Sequence, residues 1–157
     1  MRVWRLHNPH APHARARGYD PLDGQGAALY PGRWNEIGTR LLYASPNPAL
    51  AVLETLNHVA PSQFAERVLL ELDVPDEAVE DATASAVVAP FFRGEDRQTQ
   101  AFGSTWAREA RSLMLLVPSA AMPVEHNTLV NPTHSSFAKV KLLRKVRYTL
   151  DPRHANG

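Results

Sequence analysis

Stretches in which apolar residues alternate with polar ones, or run together, predict the strands of this chain. Residues 2–6 alternate apolar and basic side chains, as a short strand does, and residues 41–44 form the apolar run of a buried strand. Residues 68–74 alternate up to Pro75, which predicts a half-buried strand. The run over 113–117 is continuously apolar, so we expect that strand at the centre of a sheet.

Two further stretches have helical character, and the C-terminal part alternates again. Ser45 is placed to cap a helix over 46–59, whose first turn tolerates proline and whose apolar residues recur every three positions. Residues 98–111 have the composition of a second helix. In residues 140–150 apolar side chains are interleaved with Lys and Arg, which predicts one or two edge strands with outward-facing cations.

The remaining sequence is irregular. Residues 7–32 are rich in proline and glycine and predict a long loop, which in a small domain is usually functional or disordered. Residues 86–92 fit neither a helix nor a strand clearly. The combined pattern predicts a mixed α+β domain.

Composition limits the function classes. The 157 residues fit one domain over 1–157, and the absence of cysteine excludes disulfides, thiolate zinc sites and a cysteine nucleophile. The net charge of +1 gives no general attraction to nucleic acid or anionic membranes. No apolar stretch has the length of a signal or spanning segment, so we expect a cytoplasmic protein that does not bind membranes. Neither a Walker loop nor a Rossmann glycine pattern is present.

Arg33 is the first candidate functional residue, because its planar guanidinium suits phosphate and it follows the long loop between Gly32 and Trp34. The alternative is a surface arginine beside a core tryptophan. Glu54 lies beside the apolar stripe of the first predicted helix, where a carboxylate is costly unless it is paired or used. It could instead reach solvent at the rim of the stripe, and His58, one turn later, could be its partner.

Ser119 follows the predicted central strand, where ligand-binding loops commonly start, although a turn serine also fits. It lacks the flanking glycines of a nucleophile elbow, which argues against a serine hydrolase. His7, His10 and His13 recur every three residues, but the prolines among them favour a solvated loop over a metal site. The cations over 139–147 fit an outward strand face, so we expect no direct binding of nucleic acid.

Six segments in order resemble the RES domain, the toxin half of a bacterial toxin–antitoxin pair, over nearly the whole chain. They are residues 2–6, 32–35, 42–45, 49–54, 117–120 and the stretch 125–139, which includes Asn127 and Asn131-Pro132. The family takes its name from an Arg, a Glu and a Ser, which here are Arg33, Glu54 and Ser119. Pro31 is a departure, because the family more often has a second glycine there.

The resemblance implies an α+β fold similar to ADP-ribosyltransferases, with two small β-sheets forming a cleft and flanking helices. It implies a toxin of a type II system that cleaves NAD+ at the nicotinamide–ribose bond by hydrolysis or phosphorolysis. An Xre-like antitoxin, which carries a DNA-binding domain, would block the cleft. No metal is implied, because nicotinamide is already a cationic leaving group.

The resemblance also implies roles for single residues. Glu54 would stabilise the oxocarbenium-like state, and Arg33 would pair with the pyrophosphate or a ribose hydroxyl, with Arg5 as a second cation. Tyr43 would stack on the nicotinamide ring. The side chains expected to hydrogen-bond the ribose or phosphate are those of Ser119 and Asn127.

Two other functions stay open at this point. The first is a mono-ADP-ribosyltransferase that modifies a cellular protein; many such toxins carry Glu or Gln two residues before the catalytic Glu, whereas this chain has Val52. That difference argues modestly against arginine as the acceptor. The second is a binding module without catalysis, which would not need a carboxylate at the apolar edge of a helix. The sequence leaves open the acceptor of the ADP-ribose, any protein target and the stoichiometry with the antitoxin.

Overall fold

The computed structural model describes residues 1–84 and 96–154, which form two β-sheets and three α-helices. In chain order the elements are β1 (Arg2–His7), α1 (Gln25–Leu29), β2 (Leu42–Ala44), α2 (Pro48–Leu56), β3 (Arg67–Asp73), β4 (Val79–Asp81), α3 (Asp96–Arg108), β5 (Met114–Pro118), β6 (His126–Val130) and β7 (Lys141–Tyr148). One sheet has the order β1-β3-β7 and the other β2-β6-β5-β4. All neighbours are antiparallel except β4 and β5.

In the four-stranded sheet, β2 and β5 pack against hydrophobic cores on both faces, which explains why these two strands are continuously apolar. Along β5 and β6 the side chains alternate between two hydrophobic cores. Leu115 and Leu129 belong to a core with Trp34 and Trp106, whereas Met114 and Val130 belong to a core with residues of the three-stranded sheet. The prediction of a central strand over 113–117 is confirmed, because β5 has a partner strand on each side.

The three-stranded sheet corrects one prediction. The strand over 68–74 was expected to be half-buried, but β3 is buried on both faces: Leu70 and Leu72 belong to a hydrophobic core, and Glu71 on the other face is buried as well. Its Glu71 is tolerated there because Arg144 and Arg2 pair with the carboxylate at 3.0 and 3.3 Å. The C-terminal strand is a single one, β7, and it lies at the edge with residues 141–147 exposed, as expected.

The two sheets are joined directly between β1 and the residue that follows β2. Trp4 and Ser45 form an isolated antiparallel bridge, in which each backbone N–H donates to the other residue's carbonyl at 2.7 and 2.8 Å. This bridge fixes Ser45 at the seam between the sheets.

The first long helix is shorter than predicted and is capped by a different residue. α2 begins at Pro48 and ends at Leu56, and the side chain of Asn47 accepts the hydrogen bond from Leu50 N at 2.9 Å. Asn47, and not Ser45, is therefore the N-cap, and Pro48 takes the first helical position, where no N–H is needed. The second predicted helix is confirmed as α3, with bounds shifted by two to three residues.

Other elements were not predicted. The region 7–32 was expected to be a loop, but it contains α1 and a short 3-10 turn, Pro12–Arg15. β4 and β6 are strands that the hydrophobic pattern did not reveal. The ambiguous stretch 86–92 lies outside the described residues. None of the described helices is both long and apolar enough to span a membrane.

Candidate active site

A cleft of about 870 Å³ opens between the two sheets. β1 supplies Arg5 from one sheet, β2 and β6 supply Tyr43 and Asn127 from the other, and α2 supplies Glu54. The segment that follows α1 completes the wall with Arg33. The structure thus brings four of the five residues expected to hold NAD+, together with Glu54, around one cavity.

Glu54 is held in the cleft by one of its two carboxylate oxygens. Oε1 accepts hydrogen bonds from the Ser119 hydroxyl and the Asn127 amide, both at 2.5 Å, and from Ala121 N at 3.4 Å. Within the described residues the other oxygen, Oε2, makes no hydrogen bond. The carboxylate is therefore fixed in orientation and still has an oxygen for a ligand in the cavity.

Ser119 lies behind Glu54. Its side chain is 1% exposed and is not part of the cavity wall. Besides donating to Glu54, its hydroxyl accepts a hydrogen bond from Met122 N at 2.9 Å. Its expected contact with a ribose or phosphate stays a prediction, and the contact that the structure gives it is with the carboxylate.

Arg33 is positioned by α3, which packs against its backbone. Thr99 donates its hydroxyl proton to Arg33 O at 2.6 Å, and Gln100 donates to Gly32 O at 2.9 Å. The guanidinium pairs with Asp96 at 2.9 Å and its side chain stays 28% exposed. α3 approaches closely because Gly103 has no side chain; a Cβ there would meet Trp34 O.

Arg5 is a half-buried cation that lines the same cleft from β1. Its Nη1 donates to Tyr43 O at 3.2 Å, while its Nε is buried without a hydrogen-bond partner in the described part of the chain. Burial lowers the pKa of the Arg5 guanidinium, although Tyr19, Asp23 and Tyr43 oppose the effect. Because arginine still remains protonated, this site places an incompletely satisfied positive charge at the cleft.

Tyr43 is fixed by its hydroxyl. The phenol donates to Asn35 Oδ1 at 2.7 Å and accepts from Trp34 N at 3.0 Å. Burial raises the pKa of the Tyr43 phenol far above its ordinary value, so the ring stays neutral. A Cβ at Gly32 would lie 2.7 Å from this hydroxyl, which explains the glycine before Arg33.

Sequence reasoning missed Asn35, which organises the same wall. Its side chain is fully buried and bonds Gly32 N at 2.9 Å, the Tyr43 hydroxyl and Ala27 O at 2.8 Å. A buried asparagine with this many partners ties α1, the Arg33 segment and β2 together. The only sequence signal was its place in the Gly-Arg-Trp-Asn segment.

Two other expectations need correction or stay unsupported. His7 is not in a solvated loop: it ends β1, is 8% exposed and stacks on Tyr19, with ring centroids 5.7 Å apart. His58 lies exposed at the cavity wall, and no hydrogen bond joins it to Glu54 in the described structure. Among the described residues no group of three or more His, Asp or Glu could hold a metal ion.

Comparisons with known proteins point to one family. Residues 2–151 match the RES domain family. The chain is 37% identical over 155 residues to the Prs ADP-ribosylating toxin of a Sphingobium species, covering 96% of this chain and 94% of the relative. It is 34% identical over 136 residues to Toxin Res of Photorhabdus laumondii, covering 83% and 85%.

Among solved structures, the chain is similar to one in the crystal structure of the M. tuberculosis MbcT-MbcA toxin-antitoxin complex. The TM-score is 0.74 at 20% identity, covering 94% of this chain and 84% of the other. At that identity the likeness carries the fold alone, and it confirms the ADP-ribosyltransferase-like α+β architecture that the sequence resemblance implied.

Proposed function

Since this chain belongs to the RES domain family, we propose that it is the toxin of a toxin–antitoxin pair and that it cleaves NAD+ at the nicotinamide–ribose bond. The observation that carries the proposal is the Glu54 carboxylate, which is fixed in a cleft through Oε1 while Oε2 is left for a ligand. An orientated carboxylate of this kind can stabilise a positive charge that develops on a sugar.

The proposed reaction is a substitution at C1′ of the nicotinamide ribose. The C1′–N bond breaks, and its electron pair leaves with nicotinamide, which neutralises the charge of the pyridinium ring. Glu54 stabilises the oxocarbenium character at C1′, and an incoming nucleophile forms the new bond there and loses its proton. Arg33 and Arg5 lie on the cleft wall and suit the pyrophosphate, whose two negative charges need cations.

Tyr43 and Asn127 complete the proposed binding mode. The Tyr43 ring lies in the cavity wall with its hydroxyl already bonded, so the ring is left to stack on nicotinamide. Asn127 lines the same cavity beside Glu54 and stays a candidate for a ribose hydroxyl. No residue of this scheme requires a metal.

The test is the release of nicotinamide from NAD+ by purified protein. We expect Glu54→Gln to lower kcat by about 100-fold or more, because it keeps the shape of the side chain and removes the charge. The matched control is Glu77→Gln, since Glu77 is an exposed residue paired with Lys139 away from the cleft. If Glu54→Gln, shown to be folded, turned over NAD+ as fast as the unchanged protein, this function would be wrong.

Transfer of ADP-ribose to a protein is a second candidate, and a specific observation favours it. The relative that shares 37% identity over nearly the whole chain is named an ADP-ribosylating toxin. The Val52 position argues only against an arginine acceptor. Labelled NAD+ with and without cell lysate separates the candidates: label on a protein supports transfer, whereas free ADP-ribose or its 1-phosphate supports hydrolysis or phosphorolysis.

An antitoxin is part of the proposal. NAD+ is a cytoplasmic metabolite, so a cell that makes this protein needs an inhibitor in the same compartment, and the relatives named Toxin Res support that need. We place its binding site over the cleft, because covering Glu54 and Arg33 would block the substrate directly. An Xre-like antitoxin co-expressed with this chain should stop nicotinamide release.

A further inference from the structure

We propose that Ser45 is a positioning residue for Glu54, acting through the side-chain amide of Asn127. The inference rests on the proposed function of Glu54 and adds a residue to its support. Ser45 is 82 positions away from Asn127 along the chain, yet its hydroxyl donates to Asn127 Oδ1 at 2.7 Å. Asn127 Nδ2 in turn donates to Glu54 Oε1 at 2.5 Å.

The Ser45 bond holds the Asn127 amide at its oxygen, in the orientation that the Glu54 carboxylate requires. A half-turn of a side-chain amide exchanges the positions of its acceptor oxygen and its donor nitrogen. With Oδ1 held by Ser45, the nitrogen faces the carboxylate and attracts it. In the opposite orientation Oδ1 would lie against Glu54 Oε1, and two oxygens that both lack a proton would repel each other.

Ser45 is suited to this task because its own position is fixed. Its backbone N–H and C=O are both bonded to Trp4 in the bridge between the sheets. Its side chain is 3% exposed, so water does not compete strongly for the hydroxyl. The sequence suggested that Ser45 caps α2, but Asn47 does so. The Ser45 hydroxyl is therefore available to bond Asn127.

Asn127 is held equally well on the strand. It lies in β6 opposite Val117 of β5, and Ser119, the other side chain bonded to Glu54, follows two residues after Val117. One oxygen of Glu54 is therefore held from β6 and from the end of β5. Removing the Ser45 hydroxyl loosens the contact of Glu54 with Asn127 and leaves its contact with Ser119 in place.

The change Ser45→Ala removes the bond to Oδ1, so the Asn127 side chain is held at its nitrogen alone and orients the carboxylate less firmly. We expect kcat for nicotinamide release to fall by about 10- to 100-fold, since a loss of orientation of that kind costs this much in other sites. The loss should be larger in kcat than in KM, because Ser45 acts on the carboxylate through Asn127 and the two cleft cations, Arg5 and Arg33, are untouched. Ser45→Thr keeps a hydroxyl and should recover most of the rate.

The decisive experiment is a double-mutant cycle of Ser45→Ala and Asn127→Ala. If Ser45 acts through Asn127, adding Ser45→Ala to Asn127→Ala lowers kcat no further. The matched control is Ser112→Ala, which removes a buried hydroxyl bonded to Trp106 at 2.8 Å away from the cleft and should lower stability with kcat unchanged. Independent, multiplying losses in the cycle would overturn the proposal, as would an unchanged kcat in Ser45→Ala.

Failure of the inference is distinguishable from failure of the proposed function. If the unchanged protein released no nicotinamide, or Glu54→Gln were fully active, the function would fail first. The side-chain NH2 signal of Asn127 in a ¹⁵N NMR spectrum then tests the positioning alone. We expect Ser45→Ala to shift or broaden that signal; a signal that stays unchanged would show that Ser45 does not hold the amide.

Discussion

Glu54 uses one carboxylate oxygen for hydrogen bonds to the protein and leaves the other for a ligand in the cleft. The hydrogen-bonding groups of its neighbour Ser119 are occupied as well. Ser119 gives its proton to Oε1 and accepts from Met122 N, so little of its capacity is left for a sugar. The order of the family's motifs along the chain was enough to predict Arg33, Glu54 and Ser119 as functional residues together. It could not assign Ser119 to the carboxylate, because that contact joins side chains 65 positions apart.

His7 gives a residue-scale prediction about pH. Burial, followed by the charges of Arg5, His13, Lys145 and Arg67, lowers the pKa of His7 from its ordinary value of 6.5 to about 4. The native state therefore resists a proton that the unfolded chain accepts. As the pH falls from about 6.5 to about 4, the free energy of unfolding should fall by on the order of 3 kcal/mol, and the loss should be complete below pH 4.

The measurement is denaturant unfolding at several pH values with His7→Phe as the comparison. Phe keeps an aromatic ring against Tyr19 and cannot take a proton, so the dependence of stability on pH should flatten between pH 4 and 6.5. His10→Phe is the matched control, because His10 is exposed. Equal slopes for the unchanged protein and His7→Phe would assign the pH dependence to other groups.

At the scale of elements, the pattern revealed strands where apolar residues alternate with polar ones or run together over several positions. β5 was visible because both of its faces are buried, and β2 was visible for the same reason. β4 has only three residues, exposed or half-buried, and exists through its pairing with β5. β6 begins with two polar residues, His126 and Asn127, of which Asn127 lines the cleft, so too few apolar residues remain to reveal the strand.

The cap of α2 gives a prediction at the same scale. Asn47 closes the first turn of the helix that carries Glu54, so Asn47→Ala should lower the free energy of unfolding by about 1 kcal/mol, or the melting temperature by about 2–4 °C. Asn47→Asp keeps the acceptor oxygen and should match the unchanged protein. Calorimetry of both variants checks this, and a loss of equal size in Asn47→Asp would show that the cap bond is not the cause.

At the scale of the whole molecule, the cleft lies where the two sheets meet. Arg5 comes from the three-stranded sheet, Tyr43 and Asn127 from the four-stranded sheet, and Glu54 from the helix that follows the Trp4–Ser45 bridge. The sequence resemblance supplied this architecture in outline, because no local pattern states which strands share a sheet. A ligand that contacts both sheets adds contacts between them that exist only in the folded state.

NAD+ should therefore stabilise the whole fold and not only the site. In Glu54→Gln, where turnover should be slowed strongly, NAD+ at about 100 times its Kd should add about 2.7 kcal/mol, which raises the melting temperature by about 5–10 °C. Adding Arg33→Ala removes a cation from the cleft wall and should abolish most of the shift at the same concentration. Adding Arg153→Ala instead should leave the shift intact, because Arg153 is 89% exposed and pairs with Asp151 outside the cleft. A shift that survived Arg33→Ala at every NAD+ concentration would place the nucleotide somewhere other than this cleft, since the pyrophosphate would not have lost a partner.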